Sequence, residues 1–161
     1  MSTKLLIVFL CAAVGTVAGL AVMKRYKRNF LYLDGVCSVI FELKRNMSYR
    51  RDDAVSVLKR CEVPSAHLKK NIDEYIAFAA AKDGKLSLSR GFLSSAEYAN
   101  VCALFETVGG SGGAVQASEL DGFGTVFTEH KTAAADKLKK YGTAAVKLGF
   151  LFGLAVGILT L

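Results

Sequence analysis

A chain of 161 residues has room for one ordinary domain, and 52% of its residues are hydrophobic, with a single proline. This composition excludes a disordered chain and favours helices over a loop-rich fold. The formal charge of +7 lies at the two ends, because residues 29–135 carry 12 basic and 13 acidic side chains. A nucleic-acid-binding surface needs cations on the folded domain itself, so no nucleic-acid partner is indicated.

The first apolar run covers residues 5–23, without a charge. As a helix it would be about 28 Å long, close to the roughly 30 Å hydrocarbon core of a bilayer. Four cations follow it directly as a stop-transfer cluster: Lys24, Arg25, Lys27 and Arg28. A cleavable signal peptide is the alternative, because Lys4 precedes the run and small residues end it, but its apolar region would be too long. The run predicts a membrane-spanning helix.

The second apolar run ends the chain. Residues 148–161 alone are too short to cross a bilayer, whereas 142–161 are long enough. Lys147 then lies near the inner boundary, where its long stem can carry the ammonium group to the lipid headgroups. The cations that flank this second predicted span are Lys137, Lys139, Lys140 and Lys147.

The position of these two cation clusters predicts the topology. Both lie at the inner ends of the spans, so the positive-inside rule places residues 24–141 in the cytoplasm and residues 1–4 outside. Besides setting topology, the same cations are candidates for contact with anionic lipid, at roughly 1 kcal/mol each.

Small residues recur at every fourth position in both spans. In the first span they are Cys11, Gly15 and Gly19, and in the second Gly149, Gly153 and Gly157. Such a stripe lets helix backbones approach closely, although glycine is common in membrane helices in any case. The spacing predicts a packing face, most strongly in the second span, against another membrane helix that the sequence does not identify.

The middle of the chain reads as all-α, because its apolar residues recur every three to four positions without strand-like alternation. A first helix continues from the membrane through Leu33 to Met47, Asp52 and Asp53 open a short one, and Pro64-Ser65 starts a third, which Asp83-Gly84 ends. Ser94 and Glu97 form a predicted capping box for a helix with Tyr98, Cys102 and Phe105 on one face. A glycine-rich loop at 109–113 ends that helix.

The longest periodic stretch follows this loop. Its apolar residues step by three or four from Leu120 through Phe127, Ala134 and Tyr141 to Phe152. This pattern predicts one long helix that continues into the membrane, with Gly122 and Gly124 as places where it could bend.

No signature of an enzyme, metal site or cofactor site emerges. The glycine loop lacks the Lys-Ser/Thr pair and the preceding strand of a phosphate-binding loop. His67 and His130 have no nucleophile or second ligand at a useful spacing, and the four cysteines show no metal-ligand spacing. We therefore expect a non-enzymatic protein with no cofactor, metal or disulfide. The acidic residues Glu106, Glu119 and Asp121 are solvated charge or a contact surface.

Several motifs resemble the stage III sporulation protein AB family of endospore-forming bacteria, over nearly the whole chain. They are Phe41-Glu42-Leu43 through Tyr49, residues 104–109 (LFETVG), Gln116, and residues 147–154 (KLGFLFGL), of which the last is the most specific. Two departures are visible: Phe105 stands where the family pattern has Gly, and Gly112 where it has Asp.

The resemblance implies a cytoplasmic helical bundle similar to the inner-membrane platform (F-type) protein of type II secretion machines. It implies a place in the mother-cell membrane around the forespore, where the protein would link a cytoplasmic secretion-type ATPase to the other membrane subunits of the channel between the two cells. Two other classes of function remain open from the residues themselves. One is a tethered helical protein that acts on an anionic lipid surface without protein partners; the other is a membrane-anchored hydrolase or sensor, for which no nucleophile and base are available.

Overall fold

Helices account for most of the described chain. The computed structural model describes residues 2–49, 54–81, 86–110 and 117–160. The helices are α1 (Ser2–Tyr49), α2 (Ala54–Arg60), α3 (Ala66–Ala81), α4 (Ser95–Gly110), α5 (Ala117–Lys137) and α6 (Thr143–Leu159), and a π-helical segment, Leu138–Gly142, joins α5 to α6. None of the described ranges contains a strand, which confirms the all-α prediction.

Two helical stretches, Leu5–Asn46 and Ser118–Leu159, are long and apolar enough to cross a bilayer. Their apolar ends carry large side chains with little cover from the protein: Phe9 is 75% exposed and Phe152 72% exposed. A core helix of a soluble protein would bury such residues, whereas lipid covers them in a membrane protein. The two helices therefore fit the predicted membrane protein.

The chain divides into two compact units. The first, called the helix pair here, consists of Met1–Phe30 and Ala133–Leu161. The second, called the bundle, is Leu31–Thr132. These limits follow packing between helices, so they differ from the predicted membrane limits at residues 24 and 141: residues 24–30 and 133–141 group with the helix pair.

The bundle has one apolar core, to which α1, α2, α3, α4 and α5 all contribute buried faces; from α2 these include Val57 and Leu58. Its fully buried side chains include Leu33, Val36, Ile40 and Leu43 of α1, Leu68 and Tyr75 of α3, Val101 and Leu104 of α4, and Leu120 and Phe127 of α5. The rings of Tyr75 and Phe105 lie 5.1 Å apart between α3 and α4. On α4, Phe105 is buried as predicted, but Tyr98 and Cys102 are only half-buried. The buried face includes Val101, Leu104 and Val108 and is therefore rotated from the predicted one.

Side chains at the start of two helices satisfy backbone groups that have no partner within the helix. Ser94 N–H donates to Glu97 Oε2 (2.7 Å) and Glu97 N–H donates to Ser94 Oγ (3.3 Å), which confirms the predicted capping box. Ser65 Oγ accepts from Leu68 N–H at 3.3 Å, so α3 begins directly after Pro64-Ser65, as predicted.

Several predicted features lie outside the described residues. These are Asp52 and Asp53, the Asp83-Gly84 turn, residues 111–113 of the glycine loop with Gly112, and Gln116.

Gly122 gives a first test of the bundle. It lies in the interior of α5, it is exposed, and a Cβ placed on it would meet no atom within 4 Å. Gly122→Ala is expected to stabilise the bundle by about 0.5–1 kcal/mol, because alanine loses less backbone entropy on folding. Thermal unfolding of the detergent-solubilised chain, followed by circular dichroism, measures the change.

Gly35→Ala is the matched control for this substitution. Gly35 is also helical, but its Cβ would lie 2.7 Å from Leu68 Cδ2, so the core must shift to accept it. We expect no stabilisation from Gly35→Ala. An equal rise in melting temperature for both variants would contradict the packing described for α1 and α3.

Candidate functional site

The predicted glycine faces of the two spans lie against each other within the helix pair. A Cβ on Gly153 would lie 2.9 Å from Ala12 Cα, and one on Gly19 would lie 2.7 Å from Val146 Cα. Both distances are shorter than real Cβ atoms allow. The other membrane helix that the sequence leaves unidentified is, in this structure, the first span of the same chain.

Every glycine of the predicted stripes takes part in this approach. Gly15 and Gly149 face each other so closely that a Cβ on either would overlap the carbonyl oxygen of the other. A Cβ on Gly157 would lie 2.8 Å from Val8 Cα. In lipid, where no hydrophobic force drives helices together, such backbone contact is a main source of attraction.

The π-helical segment decides which face of α6 meets the first span. Seven residues make nearly two turns of an α-helix, so Tyr141 would share the buried face of Ala134 if the helix were uninterrupted. Instead Gly142 is buried and Tyr141 is 49% exposed. A π-helical turn accommodates one extra residue, and this brings Gly142, with the glycines beyond it, onto the packing face.

The two predicted cation clusters are brought together on the helix pair. The rings of Tyr26 and Tyr141 stack with centroids 6.3 Å apart, and a Cβ on Gly142 would lie 3.3 Å from Met23 Cγ. The first cluster lies on both sides of Tyr26 in the sequence. In the second, Lys137 directly precedes the π-helical segment, Lys139 and Lys140 lie within it, and Lys147 lies in α6. All eight cations are exposed: Lys24, Arg25, Lys27, Arg28, Lys137, Lys139, Lys140 and Lys147.

In the bundle, Asn71 is a fully buried polar side chain that fixes an irregular segment, residues 86–94, to α1 and α3. Its Nδ2 donates to Tyr32 Oη (2.8 Å) and to Ser89 O (3.1 Å), and its Oδ1 accepts from Ser89 N–H (3.1 Å). Burial raises the pKa of Tyr32 to about 12. Tyr98 Oη donates to Leu88 O at 2.8 Å, so the segment is fixed at two adjacent residues.

Both histidines have structural partners. His67 Nε2 lies 3.0 Å from Ser89 O, and Gly91 passes beside its ring with a left-handed φ of 55°. His130 Nε2 lies 2.9 Å from Asn100 Nδ2. The four cysteines are free thiols, and burial raises the pKa of Cys37 and of Cys61, so both behave as small apolar side chains. Of the three acidic residues considered, Asp121 pairs with Lys44, and Glu106 and Glu119 are exposed.

One large aromatic side chain of the bundle, Phe41, is exposed among grooves and ion pairs. Phe41 of α1 is 63% exposed and lies between two grooves of about 650 and 470 Å³. The first groove is lined by α1 and α2, with Val57 and Cys61, and the second by α1 and α5, with Gly124. The ion pairs Glu42–Arg45 and Lys44–Asp121 border Phe41. An aromatic residue with a charged rim is typical of protein interfaces.

Sequence reasoning identified the glycines and the cations but missed Asn71, Phe41 and the tyrosine pair. Phe41 breaks the periodic apolar face of α1, because it directly follows the buried Val39 and Ile40. That break was a usable signal. Asn71 carries no such signal, since a single asparagine in a predicted helix is normally assigned to the solvent-exposed face.

The fold and these surfaces define a class: a helical protein with two candidate membrane spans at its ends and a helical bundle between them. The model of the family described as stage III sporulation protein AB matches residues 4–161. The chain therefore belongs to the stage III sporulation protein AB family, which is a sporulation family and not a known enzyme family. Searches of curated proteins and of solved structures gave no match.

Proposed function

We propose that this chain is a non-enzymatic adaptor of the sporulation channel between mother cell and forespore. Its two spans lie in the mother-cell membrane around the forespore, and its bundle faces the cytoplasm. There it holds a secretion-type ATPase next to the other membrane subunits of the stage III sporulation complex, in the manner of an F-type platform protein.

The observation that carries the proposal is the continuity of α1, which runs as one helix, Ser2–Tyr49, from a candidate membrane span into the core of the bundle. A domain built on such a helix is tethered to the membrane by its own core. Family membership supplies the sporulation context. The cation clusters at the inner ends of both spans support the cytoplasmic orientation through the positive-inside rule.

Phe41 is the side chain at which we expect the ATPase to bind. It is the most exposed large apolar side chain among the described residues of the bundle. Removing an aromatic anchor from an interface typically weakens binding by about 2 kcal/mol or more, which is roughly 30-fold.

The test compares Phe41→Ser with Phe92→Ser in full-length, tagged chains purified from detergent-solubilised sporulating cells. Phe92 is the matched control because it is also an exposed phenylalanine of the bundle, 42% exposed. We expect the wild-type chain and Phe92→Ser to co-purify a secretion-type ATPase, and Phe41→Ser to lose most of it at equal membrane abundance.

Capture of other sporulation membrane proteins without any ATPase would contradict the adaptor role. A chain that retains no protein partner, in wild-type or variant form, would favour the rival function on a lipid surface. Orientation is tested in vegetative cells that produce the chain in their plasma membrane, with the four natural cysteines replaced by alanine. A cysteine introduced at Phe41 should stay unlabelled by a reagent that cannot cross the membrane, and labelling there would overturn the cytoplasmic assignment.

A further inference from the structure

Seven cations of the helix pair lie within four residues, in the sequence, of one of the two stacked tyrosines. They form what we call the cationic patch: Lys24, Arg25, Lys27, Arg28, Lys137, Lys139 and Lys140. The two halves of the patch are more than a hundred residues apart in the chain, but the Tyr26–Tyr141 stack joins them, because each tyrosine is adjacent to cations in sequence. Packing of the spans therefore turns two charge clusters into one surface.

Acidic side chains are almost absent from the helix pair. The sequence of the helix pair, residues 1–30 and 133–161, holds one acidic side chain, Asp136. Within the described chain, none of the patch lysines forms an ion pair with a carboxylate, whereas Lys44 and Lys131 of the bundle do. Lys140 Nζ lies 5.4 Å from the ring centroid of Tyr141, so the aromatic pair also borders the charge.

We propose that the cationic patch is a binding site for the phosphate headgroups of anionic phospholipids, to which both helices of the pair contribute. The patch directly adjoins the apolar segments of both spans, so a headgroup bound there can keep its acyl chains against exposed apolar side chains. Basic side chains clustered beside the ends of membrane helices are a usual recognition element for anionic lipid, and tyrosines are enriched at the same membrane–water interface.

A role in topology alone would not need this arrangement. The positive-inside rule counts cations near the ends of a span, wherever the neighbouring span lies. A shared lipid site, by contrast, depends on the two clusters being side by side. The proposal therefore predicts that separation of the helices weakens lipid binding even when no charge is removed.

The experiment measures lipid retained by the purified full-length chain in uncharged detergent, using native mass spectrometry with phosphatidylglycerol or phosphatidylcholine added. We expect wild type to retain phosphatidylglycerol in preference to phosphatidylcholine. Replacing Lys137, Lys139 and Lys140 together with glutamine should weaken retention by roughly 100-fold, at about fivefold per cation. Lys139→Gln alone should weaken it by about fivefold, which keeps the test usable if the triple variant folds poorly.

Two controls separate the proposal from its rivals. Replacing Lys59, Lys69 and Lys70 of the bundle with glutamine removes the same charge elsewhere and should leave retention unchanged. Gly19→Leu keeps every cation but forces the helices apart, because the Cβ of residue 19 would already lie 2.7 Å from Val146 Cα. It should weaken lipid retention as a charge variant does.

Equal retention of the two lipids by wild type, or equal loss from the patch and bundle variants, would overturn the proposal. Full retention by Gly19→Leu would show that each cluster binds separately, which contradicts a shared site. Displacement of phosphatidylglycerol by inorganic phosphate at the same concentration would identify a free-phosphate site and also overturn it. None of these outcomes depends on ATPase binding, so the lipid-site proposal is tested independently of the adaptor role.

Discussion

Gly149→Leu is expected to force the two helices of the helix pair apart. Gly149 is central in the packing face: its Cβ would overlap the carbonyl oxygen of Gly15 and would lie 3.3 Å from Gly19 N. These neighbours are backbone atoms, which cannot turn aside as a side chain can. Overpacking of this kind typically costs about 1–3 kcal/mol. Leucine also makes the span more apolar, so membrane insertion should be retained.

A disulfide reporter measures this separation in native membranes. The four natural cysteines are replaced by alanine, and Met23→Cys and Gly142→Cys introduce a new pair. A Cβ on residue 142 would lie 3.9 Å from the Cα of residue 23, which is close enough for a disulfide. We expect rapid cross-linking within the otherwise unchanged chain. Gly149→Leu should reduce its equilibrium yield by roughly tenfold, which corresponds to about 1.4 kcal/mol.

Ala155→Leu is the control, because Ala155 lies on the same helix but is exposed. It adds the same side chain and the same gain in hydrophobicity on a face that meets no helix of this chain among the described residues. Gly153→Leu should behave like Gly149→Leu, since its Cβ would meet Ala12. Equal cross-linking by Gly149→Leu and Ala155→Leu at equal abundance would be incompatible with packing through the glycines.

Asn71→Leu is expected to give the largest loss of stability in the bundle. Leucine has the same branched shape, with bulkier methyl groups, but cannot replace the bonds to Tyr32 Oη and to Ser89 N–H and C=O. Ser89 O keeps its contact with His67 Nε2, so two polar groups lose a partner at a buried site. At about 1–3 kcal/mol for each such group, the variant should lose about 3 kcal/mol, or some 10–20 °C in melting temperature.

Thermal unfolding of the detergent-solubilised chain tests this expectation, with Asn46→Leu as the control. Asn46 is half-buried, and its Nδ2 donates to the carbonyl oxygen of Glu42 in the same helix at 2.8 Å. Losing this hydrogen bond breaks no contact between different helices or segments. In the Tyr32→Phe background, Asn71→Leu should reduce the free energy of unfolding by less, because the Tyr32 hydroxyl that would lose its partner is no longer present. A cost equal in both backgrounds would remove Tyr32 from the network.

Local features of the sequence determined much of this structure. The two apolar runs, the helical periodicity, the start of α3 after Pro64-Ser65 and the Ser94–Glu97 capping box each depend on residues a few positions apart, and the structure contains all of them. The family motifs are local in the same way, and the family match confirms the resemblance that they indicated. Short-range patterns of this kind are readable because the helix brings residues three and four apart together whatever surrounds it.

Only the tertiary structure decided which faces meet. Periodicity continued from Ala134 to Tyr141, but the π-helical segment places Gly142 on the buried face instead and brings the glycines beyond it into backbone contact with the first span. For the same reason the glycine stripes predicted a packing face without naming the partner, and the cation clusters did not reveal that they form one patch. Asn71 reaches Ser89 across eighteen positions through an irregular segment that has no period at all. Such pairings depend on long-range geometry, which no local pattern of residues encodes.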